Sequence, residues 1–266
     1  MAKVILLAGQ SNAEGCTYSS YLPVDLILKS IKGYQNIQIF YETNNQKNFN
    51  FEPVCLGQGF DSTRFGLELG LADYLCTAFP NETIYIIKYT KGGTSFKKDW
   101  SSVSSGHPYH LYFNMLNRVK EGFNLLQKKN IKGDLLGVLW MQGESDSDQT
   151  LQDALNYKAL VRDFINDIRY NLGYLSSNGI PFIQAGISDS KIWPAYKIIN
   201  QAKEEISKEL KDCDYFSTIS KQYPYSHEPL GNPDLCHYDA IGEYNLGIDF
   251  GKHLEKYLKA ASKIQN

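Results

Sequence analysis

The chain has 266 residues, of which 42% are hydrophobic and 21% are charged. This length and hydrophobic content suffice for one large buried core and exclude an intrinsically disordered chain. Lysine and arginine together number 27 and aspartate and glutamate 29, a net charge of −2, which gives no sign of the basic surface typical of nucleic-acid-binding proteins. We therefore expect a globular protein that does not bind nucleic acid.

Four short apolar runs indicate β-strands. Each ends at a glycine or a polar turn, and in chain order they are residues 4–8, 84–89, 135–141 and 182–187. Continuous rather than alternating hydrophobicity is typical of strands that are buried on both faces, as in a parallel sheet. A further run at residues 37–41 is either another strand or part of an excursion from the sheet.

Between these runs, apolar residues recur at helical spacing. The pattern predicts five helices, at residues 66–79, 111–129, 155–172, 195–210 and 240–258. Strands that alternate with helices predict right-handed βαβ units. The expected fold class is therefore α/β: a single domain over residues 1–266, with a doubly wound parallel sheet of about five strands and helices on both faces.

Two segments interrupt this alternation. Residues 16–60 are polar and rich in asparagine, and residues 217–234 are rich in Tyr, Pro, Gly and Ser. Both are expected to be long loops above the sheet. Loops of this length in a compact domain are more often functional than incidental.

We expect no membrane partner and a cytoplasmic location. No apolar run approaches the roughly 18–20 residues of a membrane-spanning helix, and residues 4–8 are too few for the core of a signal peptide. The five cysteines are scattered and form no C-x-x-C pair, which argues against a disulfide framework or a cysteine zinc site. His107 and His110 have a spacing that suits a metal, but they lack a third ligand, so no metal site is predicted.

Unusual residues follow three of the predicted strands. They are the segments Gly9-Gln10-Ser11-Asn12, Gly92-Gly93-Thr94-Ser95 and Gln142-Gly143-Glu144-Ser145-Asp146. Ligands of open α/β sheets bind at the carboxyl ends of the strands. A serine displayed there beside a glycine turn suits a nucleophile, which needs a base and an orienting acid.

The candidate base is His237. Asp234 lies three residues before it, a spacing that lets both side chains face the same way. The carboxylate can then bond one ring nitrogen and leave the other to take the proton of a serine. Taken alone, the same pair is also consistent with a loop salt bridge or a helix cap.

Together, these blocks resemble those of the SGNH hydrolase superfamily. The similarity is to the branch that holds carbohydrate esterase family six acetylxylan esterases and sialate O-acetylesterases. Residues 65–68 are similar to the G-P-E helix start of that branch, with Leu67 in place of proline. The resemblance covers essentially the whole chain and implies a single-domain, flavodoxin-like fold.

The resemblance also implies roles for the matching residues. Ser11 would be the nucleophile, His237 the general base and Asp234 its orienting acid. Glu144 is the alternative acid, because some members of the branch are thought to use the glutamate at that position. The local spacing favours Asp234.

An oxyanion hole is implied as well. Its donors would be the backbone N–H groups of Ser11 and Gly93 and, as a third donor, the side-chain amide of Gln142. The reaction requires neither a metal nor an organic cofactor.

The implied activity is hydrolysis of O-acetyl esters on a carbohydrate through an acyl-enzyme. Acetylated xylan, sialic acid and other glycans all remain open. So do two other functions: a lipid or thioester hydrolase of the same superfamily, and an inactive carbohydrate-binding protein. A cofactor binder is disfavoured because no G-x-G-x-x-G follows the first strand. Candidates for stacking on sugar rings are the loop aromatics Trp100, Tyr109, Tyr223, Tyr225 and Tyr238. The oligomeric state is not predicted.

Overall fold

The computed structural model describes residues 1–224, 228–229 and 232–264, with side chains up to residue 261. The strands are β1 (Ala2–Gly9), β2 (Thr17–Tyr18), β3 (Tyr34–Glu42), β4 (Glu52–Val54), β5 (Arg64–Phe65), β6 (Ile84–Thr90), β7 (Gly133–Met141), β8 (Phe182–Ala185) and β9 (Cys213–Phe216). The helices are α1 (Ser11–Glu14), α2 (Val24–Ser30), α3 (Glu68–Ala78), α4 (His110–Lys128), α5 (Glu144–Ser147), α6 (Leu151–Leu172), α7 (Tyr196–Glu209) and α8 (Ala240–Ile264).

Within the described residues, the central sheet has seven strands in the order β4-β3-β6-β1-β7-β8-β9. All neighbours are parallel except β4, which runs antiparallel to β3. The α/β class and the parallel sheet are confirmed, and the expected count of about five strands is too low. The run at residues 37–41 lies in β3, inside the sheet.

The additional strands β4 and β9 lie at the two edges of the sheet. β4 contains Pro53, which cannot donate a backbone hydrogen bond, and β9 contains the charged residue Asp214. An edge strand has a neighbouring strand on one side only, so it is less buried than a central strand. It therefore needs fewer apolar residues. These strands therefore carry no continuous apolar run that a sequence pattern can detect.

Helices cover both faces of the sheet. On β7, a side chain placed at Gly137 would meet Leu254 of α8, whereas the ring of Trp140 lies 4.7 Å from that of Phe164 of α6. Positions three apart on a strand point to opposite faces, so α8 and α6 lie on opposite sides. The buried core cluster extends from Val4 to Ala261. On this basis we propose one domain over residues 1–266.

The helices α3 and α8 pack with their backbones in close contact. A Cβ at Gly70 would lie 1.8 Å from the carbonyl oxygen of Tyr244, and one at Gly247 would lie 2.0 Å from that of Leu67. Only glycine fits at these two positions, and the close packing fixes the start of α8. The segment that precedes α8 carries His237.

Strand β1 lies between β6 and β7, so the chain changes direction across the sheet at this point. After β1 the chain forms β3, β4 and β6 on one side of it. It then crosses to the other side, where it forms β7, β8 and β9. The carboxyl ends of β1, β6 and β7 therefore open a crevice at the topological switch point, where α/β proteins bind their ligands.

Candidate active site

Ser11 is placed at the end of the central strand by its neighbours. Gly9 has φ +143°, and a Cβ there would lie 1.9 Å from the carbonyl oxygen of Met141, so only glycine lets β1 end so close to β7. The backbone N–H of Gln10 donates to that same Met141 carbonyl at 2.9 Å. The chain then turns into α1, whose first residue is Ser11.

A buried ion pair holds this turn from below. Lys88, on β6, is fully buried and donates to the carbonyl oxygens of Glu14 at 2.8 Å and Gln58 at 3.0 Å. It also donates to a carboxylate oxygen of Glu68 at 2.8 Å. Each proton of the ammonium group thus has an acceptor, which is the condition for burying a charge. Glu68 belongs to the helix start that the sequence analysis recognised.

A cavity of about 300 Å³ opens above the switch point. It brings together Ser11 after β1, Gly93 after β6 and His237 before α8. The full lining is Gln10, Ser11, Glu14, Cys16, Asn44, Phe60, Gly92, Gly93, Ser145, Trp193, Cys236 and His237. Among the described residues, the Ser11 hydroxyl has no hydrogen-bond partner, so the bond from Ser11 to His237 is not formed in this structure.

The imidazole of His237 is paired with Asp234. Its Nδ1 lies 2.5 Å from Oδ2 of Asp234, and the other carboxylate oxygen accepts the backbone N–H of Cys236 at 2.7 Å. Burial raises the pKa of Asp234, but the hydrogen bond and charge of His237, together with the backbone N–H groups of Cys236 and His237, outweigh burial and lower it. This pairing leaves Nε2 as the ring atom for proton transfer.

The same contacts set the basicity of His237. Burial lowers its pKa, but hydrogen bonds with Asp234 and with the thiol of Cys16 outweigh burial and raise the pKa above its usual value near 6.5. The imidazole is therefore a stronger base than a free histidine. The sequence analysis did not anticipate Cys16, because nothing in its local sequence points to a histidine 221 positions away.

Glu144 lies at the other end of the site and does not bond His237 within the described residues. It is fully buried at the start of α5, and its Oε1 accepts the side-chain amide of Asn12 at 2.8 Å. The acid in contact with the imidazole is thus Asp234. Glu144 instead fixes the residue that follows Ser11.

The amide of Gln142 points into the protein. It is fully buried, and its Nε2 donates to Asp146 at 2.6 Å and to the carbonyl of Thr94 at 3.1 Å. Oε1 of Gln10 is a third acceptor, 3.2 Å from the same nitrogen. Both of its N–H bonds therefore meet protein acceptors. This orientation differs from the one expected of an oxyanion donor.

Two backbone N–H groups are better placed to donate into the cavity. Gly93 has φ +72°, a Cβ placed there would meet nothing within 4 Å, and its N–H makes no hydrogen bond among the described residues. The N–H of Ser11, in the first turn of α1, is unpaired in the same part of the chain. The neighbouring N–H of Gly92 donates to Glu14 at 2.9 Å, which anchors the loop after β6.

A buried lysine lies beneath the cavity. Lys203 of α7 is fully buried and donates to the carbonyl oxygens of Gln142 and, at 2.6 Å, of Ala185. Burial lowers its pKa to about 8, although Glu144 and Asp146 oppose the change. The sequence gives no sign of this role, because a lysine in an amphipathic helix ordinarily faces solvent.

Asp146 joins the loop after β6, which carries Gly93, to the end of β7. It accepts the backbone N–H of Phe96 at 3.0 Å and the amide of Gln142 at 2.6 Å. Burial raises the pKa of Asp146 to about 7, although these two hydrogen bonds lower it. The loop after β6 and the end of β7 are thus held together by one buried carboxyl group.

A second cavity of about 280 Å³ adjoins the first and shares Cys16 and His237 with it. Arg64 lies on its wall, stacked 4.4 Å from the ring centroid of Tyr18, whose hydroxyl accepts an Arg64 N–H at 2.7 Å. Glu228 lines the same cavity, and burial raises its pKa to about 7. Arg64 is also paired with Asp61 at 3.7 Å, and Asp234 lines this cavity, so its wall carries charges of both signs.

The aromatic candidates have mixed positions. Trp100 lies in the core and donates to Thr94 Oγ1 at 2.7 Å, and the hydroxyl of Tyr223 donates to Asp249. Tyr238 is buried on the wall of the second cavity, Tyr109 precedes α4, and Tyr225 lies outside the described residues. The aromatic rings that line the first cavity are Phe60, from the polar segment of residues 16–60, and Trp193, from the connection between β8 and α7.

No helix of the described residues is long and apolar enough to cross a membrane. In the same residues, no group of three or more His, Cys, Asp or Glu side chains is arranged to hold a metal ion.

Solved structures with a similar fold include esterases. A protein from Arabidopsis thaliana superposes with a TM-score of 0.70 at 20% identity, covering 96% of this chain and 98% of the other. NanS gives 0.70 at 16% identity, with 97% and 98% covered. A carbohydrate acetylesterase from Xanthomonas citri gives 0.62 at 17% identity, with 96% and 56% covered. These likenesses show a shared fold.

A search of curated protein sequences gives no match. The family model described as carbohydrate esterase, sialic acid-specific acetylesterase, matches residues 1–256, nearly the whole chain. The chain therefore belongs to this family of carbohydrate esterases and is a carboxylic ester hydrolase.

Proposed function

We propose that the protein hydrolyses O-acetyl esters of carbohydrates, with Ser11 as nucleophile, His237 as general base and Asp234 as the acid that orients it. The observation that carries the proposal is the first cavity, at the carboxyl ends of β1, β6 and β7. Ser11, Gly93 and His237 line it together, and Asp234 bonds the far nitrogen of the imidazole at 2.5 Å.

The first step forms an acyl-enzyme. Ser11 Oγ attacks the ester carbonyl while Nε2 of His237 takes the hydroxyl proton. The N–H groups of Ser11 and Gly93 donate to the resulting oxyanion. His237 then returns the proton to the departing sugar hydroxyl as the carbon–oxygen bond breaks. One well-placed oxyanion donor typically contributes about 10²–10³-fold to kcat.

The second step hydrolyses the acetyl-serine. Water takes the place of the sugar, His237 removes its proton, and acetate leaves as Ser11 regains its hydrogen. This route needs no group beyond the side chains, the backbone N–H donors and water, so we propose no cofactor. The substrate partner that we propose is an acetylated carbohydrate.

For Gln142 to serve as a third oxyanion donor, its amide must exchange a protein acceptor for the substrate. In the arrangement that the structure shows, it instead links the carbonyl of Thr94 to Asp146, directly below Gly93. This placement supports a role in fixing the loop that carries the Gly93 N–H.

A fluorophosphonate probe tests the nucleophile directly. We expect the Ser11 hydroxyl to displace fluoride from phosphorus, so that mass spectrometry of digested protein finds one phosphonylated serine at Ser11. Ser145, which lines the same cavity but has no paired base among the described residues, is the internal comparison. Labelling should stop in the His237→Ala variant. A label on Ser145, or labelling that persists without His237, would contradict the proposal.

The activity should also depend on pH in a defined direction. The general base must be neutral to act, and the partners of His237 raise its pKa above 6.5. We therefore expect kcat/KM for p-nitrophenyl acetate to rise with pH through a transition above 6.5. In Cys16→Ala, which removes one partner that raises this pKa, the transition should move to lower pH. A rate that does not change across the pH range would remove His237 as the base.

Arg64 in the second cavity makes a carboxylate-bearing sugar the substrate class that we propose. Arg64 is the cation on this wall. Its Nε is buried and lies 3.7 Å from Oδ2 of Asp61, so the guanidinium must turn from Asp61 to bind an anion. The raised pKa of Glu228 keeps part of that carboxyl neutral near pH 7, which reduces its repulsion of an anion. A sugar whose acetyl group reaches Ser11 can place a carboxylate there, because the two cavities share His237.

Replacing Arg64 with alanine tests this substrate class. A hydrogen bond to a charged group contributes about 1.5–3 kcal/mol, so KM for an acetylated acidic sugar should rise about 10- to 100-fold. Hydrolysis of p-nitrophenyl acetate and of acetylated xylo-oligosaccharides should change less than about threefold, because these substrates carry no carboxylate. Equal losses on acidic and neutral esters would show that Arg64 has a structural role.

A further inference from the structure

Another cavity lies far from the catalytic residues, at the opposite edge of the sheet. It has a volume of about 630 Å³, within the range of ligand pockets. One wall is the C-terminal half of α4, the other is the turn Gly173–Leu175 that follows α6, and the floor is the beginning of β7. We call it the α4 groove.

The α4 groove has a local positive charge that the chain as a whole lacks. Residues 120–133 contain four lysines and one glutamate, whereas the net charge of the protein is −2. Lys120 and Lys132 line the groove, and neither forms an ion pair within the described residues. Lysines in the last turn of a helix can act by stabilising the helix dipole. Lys120 lies two turns before the end of α4 and Lys132 beyond it, so the dipole does not explain these two.

The remaining lining suits a sugar. Asn124 and Gln127 present side-chain amides that make no hydrogen bond among the described residues. Phe123 is on the same face of α4 as these amides. Tyr174, on the opposite wall, is 70% exposed. Exposed rings pack on the C–H face of a sugar, and amides bind its hydroxyl groups.

The groove and the catalytic cavity are at opposite ends of β7. Gly133, the first residue of this strand, lines the groove, and the active-site loop follows the last residue, Met141. Nine residues of strand span on the order of 25–30 Å. A monosaccharide bound at Ser11 therefore cannot reach the groove.

We propose that the α4 groove is a second carbohydrate site, which binds an acidic oligosaccharide through Lys120, Lys132 and Tyr174. The two cations bind carboxylates of the sugar, the amides bind its hydroxyl groups, and Tyr174 stacks on a ring. Such a site holds a polymeric glycan on the protein while acetyl groups elsewhere on the chain reach Ser11. A single exposed ring and a net charge of −2 favour a glycan over a nucleic acid.

The test uses the full chain with Ser11→Ala and an oligosaccharide that carries no acetyl groups. Oligosialic acid and oligogalacturonate are titrated while the backbone amide resonances of residues 120–133 and 173–175 are followed by NMR. We expect saturable shifts in these residues, and at least a tenfold weaker affinity in the variant Lys120→Ala, Lys132→Ala, Tyr174→Ala. The control is Tyr170→Ala with Lys197→Ala, which removes an 86% exposed tyrosine of α6 and a lysine outside the groove.

Three results would overturn the proposal. They are the absence of shifts at the groove, equal binding by the groove variant and the control, and tighter binding of a sulfated oligosaccharide or a single-stranded RNA than of both carboxylated sugars. The groove variant in the wild-type background should hydrolyse p-nitrophenyl acetate at the normal rate. This last measurement separates the second site from the proposed catalytic residues, because either can fail without the other.

Discussion

Ser11→Ala is expected to lower kcat for p-nitrophenyl acetate by about 10⁴-fold or more, because without the hydroxyl no acyl-enzyme can form. The rate that remains should come from the oxyanion donors and from water. The backbone N–H of Ser11 is retained by alanine, so the oxyanion hole is preserved. Steady-state release of p-nitrophenol measures the loss.

The interpretation of this variant depends on its stability. The Ser11 hydroxyl has no hydrogen-bond partner in the described residues, so its removal should change the free energy of unfolding by no more than about 0.5 kcal/mol. Thermal unfolding of the two proteins should therefore coincide. Ser145→Ala is the matched control, since it removes a second hydroxyl from the same cavity and should cost less than about tenfold in kcat. Comparable losses of kcat in the two variants would contradict the assignment of Ser11 as the nucleophile.

The central part of the fold was predictable because its strands are buried on both faces. β1, β6 and β7 are almost entirely apolar, and burial on two sides requires such runs. The edge strands β4 and β9 need no such composition. α2, within the segment expected to be a loop, has only seven residues, which are too few for its apolar side chains to establish a helical period.

The site was predictable as far as local spacing and resemblance extend. Asp234 and His237 are three residues apart, and the structure brings them into contact. Long-range contacts are a different matter. That Cys16 meets His237, that Lys203 is buried under Gln142, and that the Gln142 amide points inward depend on how loops and helices pack. No sequence pattern records these contacts.

Asp234→Asn is expected to lower kcat for p-nitrophenyl acetate by about 10⁴-fold, the loss seen when a triad aspartate is made neutral. The carboxylate at Nδ1 keeps the proton of His237 on that nitrogen and stabilises the imidazolium that forms in the transition state. An asparagine amide in its place can donate to Nδ1, which moves the proton to Nε2 and prevents that atom from acting as a base. Asp234 also raises the pKa of His237, so the remaining activity should show its transition at lower pH than the wild type.

Glu144→Gln is the comparison that decides which acid supports His237. The glutamine can still accept the Asn12 amide, which Glu144 now accepts at 2.8 Å, but it removes the negative charge near the buried Lys203. We therefore expect a loss of stability and a fall in kcat of about tenfold, with the pH transition unchanged. If instead Glu144→Gln abolishes activity and shifts the transition while Asp234→Asn retains it, the glutamate is the orienting acid. In that case Asp234 would serve only to hold the loop before α8, and the pairing at 2.5 Å would be a structural contact.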